Sequence, residues 1–534
     1  MGNAVNDCSR WFTSILIALA SSLILSLFYL LGKFCFIVFS GANIFKLSTK
    51  SKQLSMNQSE IDELKSRFEK AGQGHVFSFF DELDESSKDH LLKQAVLIDL
   101  EELKSLVEEH LNKAGTETKQ SSLEDLAPAP YIHLPAKGGD PEAWQAAFKV
   151  GSEAISAGRV AAFTVAGGQG TRLGYDGPKG TFPVMPVSKK TLFQVFAEKL
   201  LRSSRRFDVT IPWFILTSET NNDATVAAFQ QSNFWGLDPD SVHFIVQGLM
   251  PAVDFDGKIL MANKSKIAMA PDGHGGSLRA LVRSGAVKKM EAMGVDCISY
   301  FQVDNPLVKC IDPEFIGFHV LGNSELSSKM VPKAYAREKV GIFCMRKDTL
   351  EVVEYSDMPD AMQDEVNEDG SIRYNAGNVA IHMFDRNFVT RVGSSDSDVK
   401  LPFHRADKKI PFIDAKGQVT EPNVANGIKF EQFVFDAMPL AKSPVVVETA
   451  REDEFSPVKN AEGSDSPKTC CEDQLRIFAR WLTAAGESIK TDASGLPEFN
   501  MEISPLFAVD EADFVVQWPS FKGKKLFSEG LIIE

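Results

Sequence analysis

The fold is decided by RVAAFTVAGGQGTRLG, residues 159–174, with PKG just beyond it at 178–180. Its first seven residues, RVAAFTV, are mostly apolar and predict a buried strand, and glycines follow that strand at once. Further short apolar runs stand at 213–217, 242–246 and 297–303, with helical stretches between them. Strands that alternate with helices predict a doubly wound, mostly parallel sheet, and hence an α/β fold.

The glycines of this segment suit a loop that surrounds a chain of phosphates. Without side chains, the backbone can approach phosphate oxygens closely, and successive N–H groups can point at them. Arg172 offers a planar set of donors for the same oxygens, and Lys179 supplies a compact positive charge nearby. Together these groups could hold a triphosphate. The candidate nucleotide-binding residues of the loop are Ala166, Gly167, Gly168, Gly170 and Thr171.

Two well-known phosphate loops do not fit this segment. A Walker A loop needs GK followed by Ser or Thr, which is missing at the required place. In a dinucleotide-binding fingerprint, the basic residues Arg172 and Lys179 would be out of place. The remaining alternative is a structural turn between a strand and a helix. The combination of GGxGTRLG with PKG favours phosphate binding over that alternative.

Asp304 is the candidate metal ligand. It follows the apolar run at 297–303, and an acidic residue at the carboxyl end of a parallel strand faces the usual ligand crevice. Mg²⁺ takes hard oxygen ligands and bridges phosphates, so we expect Asp304 to bind Mg²⁺. The alternative is an aspartate that caps a helix. No DxD motif stands here, and Asp436 is the candidate for a second ligand.

Composition and charge limit the class of protein. The 534 residues allow two or three domains, and 44% hydrophobic with 24% charged residues is ordinary for a folded chain. The net charge of −15 argues against nucleic acid as a partner, because phosphate backbones attract basic faces. A small anionic substrate in a local basic pocket stays compatible with that charge. The sequence carries no signal for an oligomeric state.

The seven cysteines are scattered and form no CxxC pair. Their odd number and spacing favour neither a zinc site nor a disulfide framework. This pattern is typical of a reduced protein that faces the cytosol.

The segment Trp11–Gly32 contains no charged residue and is long enough to span a bilayer. Four lysines follow it within residues 33–52, against a single arginine before it. By the positive-inside tendency, the rest of the chain would lie in the cytoplasm. We therefore expect residues 1–55 to form a hydrophobic leader and candidate membrane anchor. The alternative is that translation begins at Met56, which opens a polar, helix-forming segment.

The remainder divides into three predicted parts: a helical region with a linker at 56–155, a catalytic domain at 156–440, and a small C-terminal α+β domain at 441–534. In the first part, Ile61, Leu64 and Phe68 recur at helical spacing, Ser59 with Asp62 resembles a capping box, and a second helical run covers 88–111. In the last part, VVVE, DFVVQW and LIIE are predicted strands, and 460–472 is a predicted polar loop.

Seven stretches between Met56 and the carboxyl end resemble the eukaryotic UDP-N-acetylglucosamine pyrophosphorylases, within the wider UDP-sugar pyrophosphorylase group. They are AGGQGTRLG with PKG, QGLMPAVDFDGKI, MAPDGHGG, QVDNPLVK, AGNVAIH, LPFHRADKKIPFID, and NGIKFEQFVFD with REDEFSPVKNA. The resemblance implies a nucleotide-diphospho-sugar transferase fold. It also implies a uridylyltransferase that binds UTP and then N-acetylglucosamine 1-phosphate, uses Mg²⁺, and releases pyrophosphate.

The resemblance also implies roles for single residues. Gln247 would read the uracil, Asp304 would hold the metal, and Lys408 would join Arg172 and Lys179 at the phosphates. Gly273 would lie against the nucleotide and Lys429 near the sugar phosphate. The residues that match sugar-binding positions are Gly341, Glu354, Tyr355 and Asn378, and His274 is expected to bind substrate near the sugar or the uridine.

His274 departs from the family's pattern, which usually has Asn at this position. GHG is more typical of relatives that act on glucose 1-phosphate or on several sugars. A broader enzyme for glucose, galactose or N-acetylgalactosamine is therefore the first alternative. A membrane-anchored glycosyltransferase is the second, but such enzymes usually carry DxD. A non-catalytic homologue is the third, and the presence of Arg172, Lys179, Asp304 and Lys408 argues against it.

Overall fold

The computed structural model describes residues 56–111, 125–521 and 527–534. Residues 62–534 belong to one compact unit, and the described residues 56–61 are assigned outside it. The predicted membrane span, Trp11–Gly32, lies outside the described residues. Within the described part, no helix has the length and apolar character that crossing a membrane requires.

The described chain alternates helices and strands. The helices are α1 (Gln58–Lys70), α2 (Glu85–Val96), α3 (Leu100–His110), α4 (Pro141–Ser156), α5 (Leu192–Phe207), α6 (Asn222–Gln231), α7 (Gly276–Arg283), α8 (Ala286–Ala292), α9 (Pro313–Leu321), α10 (Asp360–Gln363), α11 (Arg386–Gly393), α12 (Arg451–Glu454), α13 (Pro467–Ala484) and α14 (Glu511–Phe521). The strands are β1 (Leu126–Pro128), β2 (Val160–Val165), β3 (Trp213–Thr217), β4 (Val242–Val246), β5 (Leu249–Pro251), β6 (Met261–Asn263), β7 (Lys266–Ile267), β8 (Met269–Pro271), β9 (Cys297–Gln302), β10 (Leu326–Pro332), β11 (Ile342–Arg346), β12 (Thr349–Val353), β13 (Ala376–Asp385), β14 (His404–Lys408), β15 (Phe412–Ile413), β16 (Val419–Thr420), β17 (Gly427–Glu431), β18 (Val445–Glu448), β19 (Met501–Ile503) and β20 (Leu531–Ile533).

Four parallel strands, in the order β9-β2-β3-β4, form the part of the large sheet that positions the site. The apolar side chains of β2, β3 and β9 are buried on both faces because helices cover the sheet, as the hydrophobic runs predicted. β4 is only partly buried, and Val246 at its end is 48% exposed. Val165 lies beside Leu216 and Gln302, so β2, β3 and β9 end at the same edge. The α/β fold and the four predicted strands are confirmed.

Beyond β9 the sheet continues in a mixed pattern. β13 joins β9 antiparallel, β10 and β11 each join β13 antiparallel, and β1 and β12 pair with β11. β18 adds to β10 in parallel. The VVVE strand near residue 445 therefore belongs to the central sheet, which extends past residue 440.

Two details of the N-terminal helices differ from the sequence predictions. The reciprocal cap of α1 is formed by Asn57 and Glu60, whose side chains accept from each other's backbone N–H, and not by Ser59 and Asp62. The run at 88–111 is two helices, because Asp99 caps a new start by accepting from the N–H groups of Glu101 and Glu102.

The C-terminal region contains two corrections. DFVVQW is not a strand: it lies in α14, where Phe514, Trp518 and Phe521 are buried at helical spacing while Val516 is 74% exposed. The predicted polar loop at 460–472 ends earlier, because α13 begins at Pro467 behind a capping box. LIIE is a strand, β20, parallel to β19.

Candidate functional site

The glycine loop leaves β2 at the shared edge of the parallel strands. Ala166 donates its N–H to Leu216 O at 2.8 Å, and the Asn221 amide donates to Ala166 O at 2.9 Å and to Gly168 O at 3.2 Å. These bonds fix the start of the loop from the neighbouring strand. A side chain at Gly168 would meet nothing within 4 Å, so the backbone there faces open space. That space suits the approach of a phosphate.

The second half of the loop is closed by its own backbone. Gly170 N–H donates to Gly177 O at 2.9 Å, and Lys179 N–H donates to Gly168 O at 3.1 Å. A Cβ on Gly170 would lie 2.7 Å from the Tyr175 ring, so this glycine is required by packing rather than by a ligand. The loop therefore combines one open glycine with one that is tightly packed.

Lys179 and Asp304 meet where β2 and β9 end. Lys179 Nζ lies 3.2 Å from Asp304 Oδ2, and both side chains are largely buried. Arg172 is exposed in the short turn Thr171–Leu173 and pairs with no acidic side chain among the described residues. The Arg172 guanidinium is therefore available to bind an anion, whereas Lys179 is paired with Asp304.

Asp304, the predicted metal ligand, lies in the cavity wall with its Oδ2 beside Lys179 Nζ. Among residues 56–111, 125–521 and 527–534, no cluster of three or more His, Cys, Asp or Glu could hold a metal by itself. Mg²⁺ is commonly held by one or two carboxylates together with substrate phosphates and waters, which one aspartate can serve. Asp436, the candidate second ligand, accepts instead from His404 Nε2 at 2.7 Å.

Gln247 is held beside the glycine loop by two acceptors. Its Nε2 donates to Gly273 O at 2.7 Å and to Asp272 Oδ1 at 3.1 Å. Its Oε1 lies 3.1 Å from where a Cβ on Gly167 would stand, so the carbonyl end faces the loop. Asp272 is buried and its pKa is raised to about 6 by that burial, although the Gln247 hydrogen bond lowers it. The sequence analysis missed Asp272, which directly precedes GHGG.

His274 is fixed as a neutral imidazole. Gly273 adopts φ +81° and packs against the Gln432 backbone, where a Cβ would lie 2.3 Å from Gln432 O. Val434 N–H donates to His274 Nδ1 at 3.1 Å, so Nδ1 is an acceptor and the proton lies on Nε2. The ring stacks on Phe433, and burial lowers the pKa of His274 to about 4. His274 therefore presents only an N–H donor.

A cavity of about 600 Å³ brings most of the predicted sugar-binding residues together. Asn378 N–H donates to Gly341 O at 2.8 Å, and a Cβ on Gly341 would lie 3.0 Å from Glu354 Oε1. Burial raises the pKa of Glu354. Tyr355 is 36% exposed and does not line the cavity. The predicted residues in its wall are His274, Asp304, Gly341, Glu354 and Asn378.

Lys408 and Lys429 lie on a separate two-stranded ribbon, β14 with β17, and neither lines the cavity. Ala406 pairs with Lys429 and Lys408 pairs with Gly427. Because side chains alternate along a strand, His404, Lys408 and Lys429 share one face of the ribbon. On that face, His404 forms the contact with Asp436 described above. Lys409 lies beyond the strand.

The sequence analysis also missed residues that line the cavity from the REDEFSPVKNA stretch. Arg451 and Lys459 are both in its wall, and Lys459 Nζ lies 3.7 Å from Asp465 Oδ2. Val458 N–H donates to Asp304 O at 2.8 Å, which ties this stretch to the candidate metal ligand. The sequence signal for these two residues was the motif itself. REDEFSPVKNA contains two basic residues and is one of the stretches that carry the family resemblance.

Comparisons with known proteins agree with this geometry. The sequence model of the UTP–glucose-1-phosphate uridylyltransferase family matches residues 129–466. The human UDP-N-acetylhexosamine pyrophosphorylase-like protein 1 is 39% identical over 82% of this chain and 88% of its own length. The UDP-N-acetylglucosamine pyrophosphorylase of Saccharomyces cerevisiae is 34% identical over 89% of this chain and all of its own. A crystal structure of the Trypanosoma brucei UDP-N-acetylglucosamine pyrophosphorylase shares the fold, with a TM-score of 0.75, 24% identity, and coverage of 90% of this chain and 99% of that one.

Proposed function

The chain belongs to the UTP–glucose-1-phosphate uridylyltransferase family, and from that premise we propose that it joins UTP to N-acetylglucosamine 1-phosphate, giving UDP-N-acetylglucosamine and pyrophosphate. The observation that carries the proposal is the contact of Lys179 with Asp304. Lys179 continues from the glycine loop, and Asp304 lies in the wall of the cavity that holds the sugar-binding residues. The Lys179–Asp304 contact therefore lies between the proposed binding site for the phosphates and the proposed binding site for the sugar.

The reaction needs positioning and charge neutralisation more than covalent help. An oxygen of the sugar phosphate attacks the α-phosphorus of UTP, the new P–O bond forms, and the bond to pyrophosphate breaks with its electron pair on the leaving oxygen. Arg172 and the loop N–H groups would stabilise the departing pyrophosphate, and Lys179 would hold the reacting phosphates. Bound Mg²⁺, with Asp304 as its protein ligand, would supply further positive charge at those oxygens.

The sugar is assigned from the relatives and from the cavity wall. Amide and carboxylate side chains such as Asn378 and Glu354 can bind sugar hydroxyls and an acetamido group. The relatives' names point to N-acetylhexosamines. His274 supplies a hydrogen-bond donor, which an acetamido carbonyl or a sugar hydroxyl can accept.

The test is pyrophosphate release by the full chain with UTP, Mg²⁺ and each of four sugar 1-phosphates: N-acetylglucosamine, N-acetylgalactosamine, glucose and galactose. We expect fast release with N-acetylglucosamine 1-phosphate and slow release with glucose 1-phosphate. Comparable rates with N-acetylglucosamine 1-phosphate and glucose 1-phosphate would support the proposed reaction but show that the enzyme accepts a broader set of sugar 1-phosphates. No release with any of the four would refute the proposed reaction.

We further propose that the enzyme works in the cytoplasm. The described cysteines, Cys297, Cys310, Cys344, Cys470 and Cys471, are unpaired, which suits a reducing compartment. The predicted anchor at 11–32 is tested by fractionating cells that express the full chain and a form beginning at Met56. Recovery of the full chain with membranes and of the shorter form without them would support the anchor.

A further inference from the structure

Asp272 is a buried carboxylate that accepts a side-chain hydrogen bond from Gln247. Just 3% of its surface is exposed. It follows β8, which pairs antiparallel with β5 so that Pro271 stands opposite Leu249. This pairing fixes Asp272 and Gln247 on neighbouring segments, 25 residues apart in sequence. The two side chains therefore meet through tertiary structure and not through a local motif.

The carboxylate determines which way the Gln247 amide points. Both hydrogens of the Gln247 NH₂ are used, one by Gly273 O and one by Asp272 Oδ1. Turning the amide over would place its oxygen against two other oxygens, which leaves three acceptors without a donor. The orientation is thus fixed with Oε1 toward Gly167 and the loop.

We propose that Asp272 is a positioning residue that sets the choice of nucleobase by holding Gln247 with its carbonyl oxygen toward the base. This inference rests on the proposed function. Uracil carries a hydrogen on N3 and can donate it to that oxygen. Cytosine has a bare, accepting nitrogen at the same position, so its N3 would face the Gln247 oxygen without a proton between them.

The surroundings of Asp272 are built to hold a carboxylate. A Cβ on Gly276 would lie 2.0 Å from Asp272 Oδ1, and a Cβ on Gly248 would lie 2.6 Å from Oδ2. Two glycines therefore make room for the group. A buried carboxylate is costly unless it is well paired. The charges of Arg279 and Arg283 act favourably on this carboxylate, and its side-chain hydrogen bond goes to the Gln247 amide, which it orients.

The experiment compares UTP with CTP for the full-length wild type, Asp272→Ala and Asp272→Asn, by kcat/KM with N-acetylglucosamine 1-phosphate. We expect Asp272→Ala to raise KM for UTP and to reduce the UTP-over-CTP preference roughly tenfold or more, because the freed amide can turn and donate to cytosine. Asp272→Asn should restore most of the preference, since its side-chain oxygen can still accept from Gln247 Nε2.

Asp513→Asn is the matched control. Asp513 is similarly buried and pairs with Arg202, and neither residue lines the cavity, so Asp513→Asn should lower stability and leave the UTP-over-CTP ratio unchanged. An Asp272→Ala enzyme that loses activity with both nucleotides in the same proportion would overturn the proposal, because a merely structural role predicts that result.

A binding readout separates this proposal from the proposed reaction. Affinities of UTP and CTP are measured by isothermal titration calorimetry for the same proteins. If the enzyme is inactive with every sugar phosphate and Asp272→Ala still reduces the difference in affinity between UTP and CTP, the reaction assignment fails and the positioning role stands. If Asp272→Ala leaves the difference between the UTP and CTP affinities unchanged, the positioning role of Asp272 is overturned, whatever the catalytic result.

Discussion

The site has two ends that are built differently. We call residues 166–180 with Asp304 the phosphate end, and His274, Gly341, Glu354 and Asn378 the sugar end. The phosphate end is mainly backbone, held by backbone hydrogen bonds and carrying few charged side chains. The sugar end is mainly side chains in the wall of a cavity. The chemistry should therefore depend on a loop that tolerates little change, and the choice of sugar on side chains that can be exchanged.

The largest effect is expected at the phosphate end from Lys179→Ala. The change removes the cation that we propose holds the reacting phosphates, and it removes the partner of Asp304 in the observed ion pair. We expect turnover to fall by a factor on the order of a hundred or more. Steady-state pyrophosphate release measures it.

Lys490→Ala is the control for Lys179→Ala, because the Lys490 side chain is 80% exposed and pairs with Glu498 at the surface. It should retain wild-type turnover. Normal turnover in Lys179→Ala itself would show that the chemistry does not depend on this end of the site.

The second prediction compares two glycines of the same loop. Gly170→Ala would place a methyl group 2.7 Å from the Tyr175 ring, and we expect a loss of about 1–3 kcal/mol in the free energy of unfolding. Gly168→Ala has nothing within 4 Å, so its stability should stay close to that of the wild type. Its methyl group should nevertheless block phosphate approach and raise KM for UTP.

Urea unfolding and UTP kinetics on these two variants separate packing from ligand approach. The interpretation of the loop predicts that Gly168→Ala loses UTP affinity without losing stability. Equal destabilisation of both variants would show that the loop is a structural turn throughout.

The phosphate end could be predicted from the sequence because its signals are local. A strand, its glycines, Arg172 and Lys179 stand within a single stretch, and Asp304 follows a strand of its own. The α/β order was equally visible, since each parallel strand is a continuous apolar run between helices.

The rest depended on contacts that local patterns do not show. Asp272 acquires its role from Gln247 on another segment, and Asp436 is engaged by His404. In α14, Val515 and Val516 gave DFVVQW the appearance of a strand although both side chains are exposed. The buried positions Phe514, Trp518 and Phe521 repeat at helical spacing, and packing of that face determined the element.

The third prediction concerns the sugar end. His274→Asn replaces a pure donor with an amide that donates and accepts, the residue type usual in the N-acetylglucosamine enzymes that this chain resembles. We expect the ratio of kcat/KM for N-acetylglucosamine 1-phosphate to that for glucose 1-phosphate to change by about tenfold or less. KM for UTP should stay unchanged, and a large rise in it would place His274 at the phosphate end instead.

The smallest effect is expected from the two histidines, His274 and His404, that both stack on Phe433. The pKa of His274, lowered to about 4 by burial, keeps that ring neutral through the physiological range. The pKa of His404 is raised, first by its hydrogen bond to Asp436 and further by the charges of Asp357 and Glu354. The stack on Phe433 thus contains one ring, His274, that stays neutral in the physiological pH range and another, His404, that has a raised pKa.

The sign of the His404 effect follows from its raised pKa. Its ion pair with Asp436 contributes fully below the pKa of an unfolded histidine and is lost as pH rises through the higher folded value. Because the His404 side chain is 43% exposed, the contribution should be under about 1 kcal/mol. The wild type should therefore melt higher than His404→Gln by a larger margin at about pH 6 than at about pH 8. Asp436→Asn should lose the same pH-dependent margin, whereas a margin that is equal at both pH values would mean that the His404–Asp436 contact carries no charge.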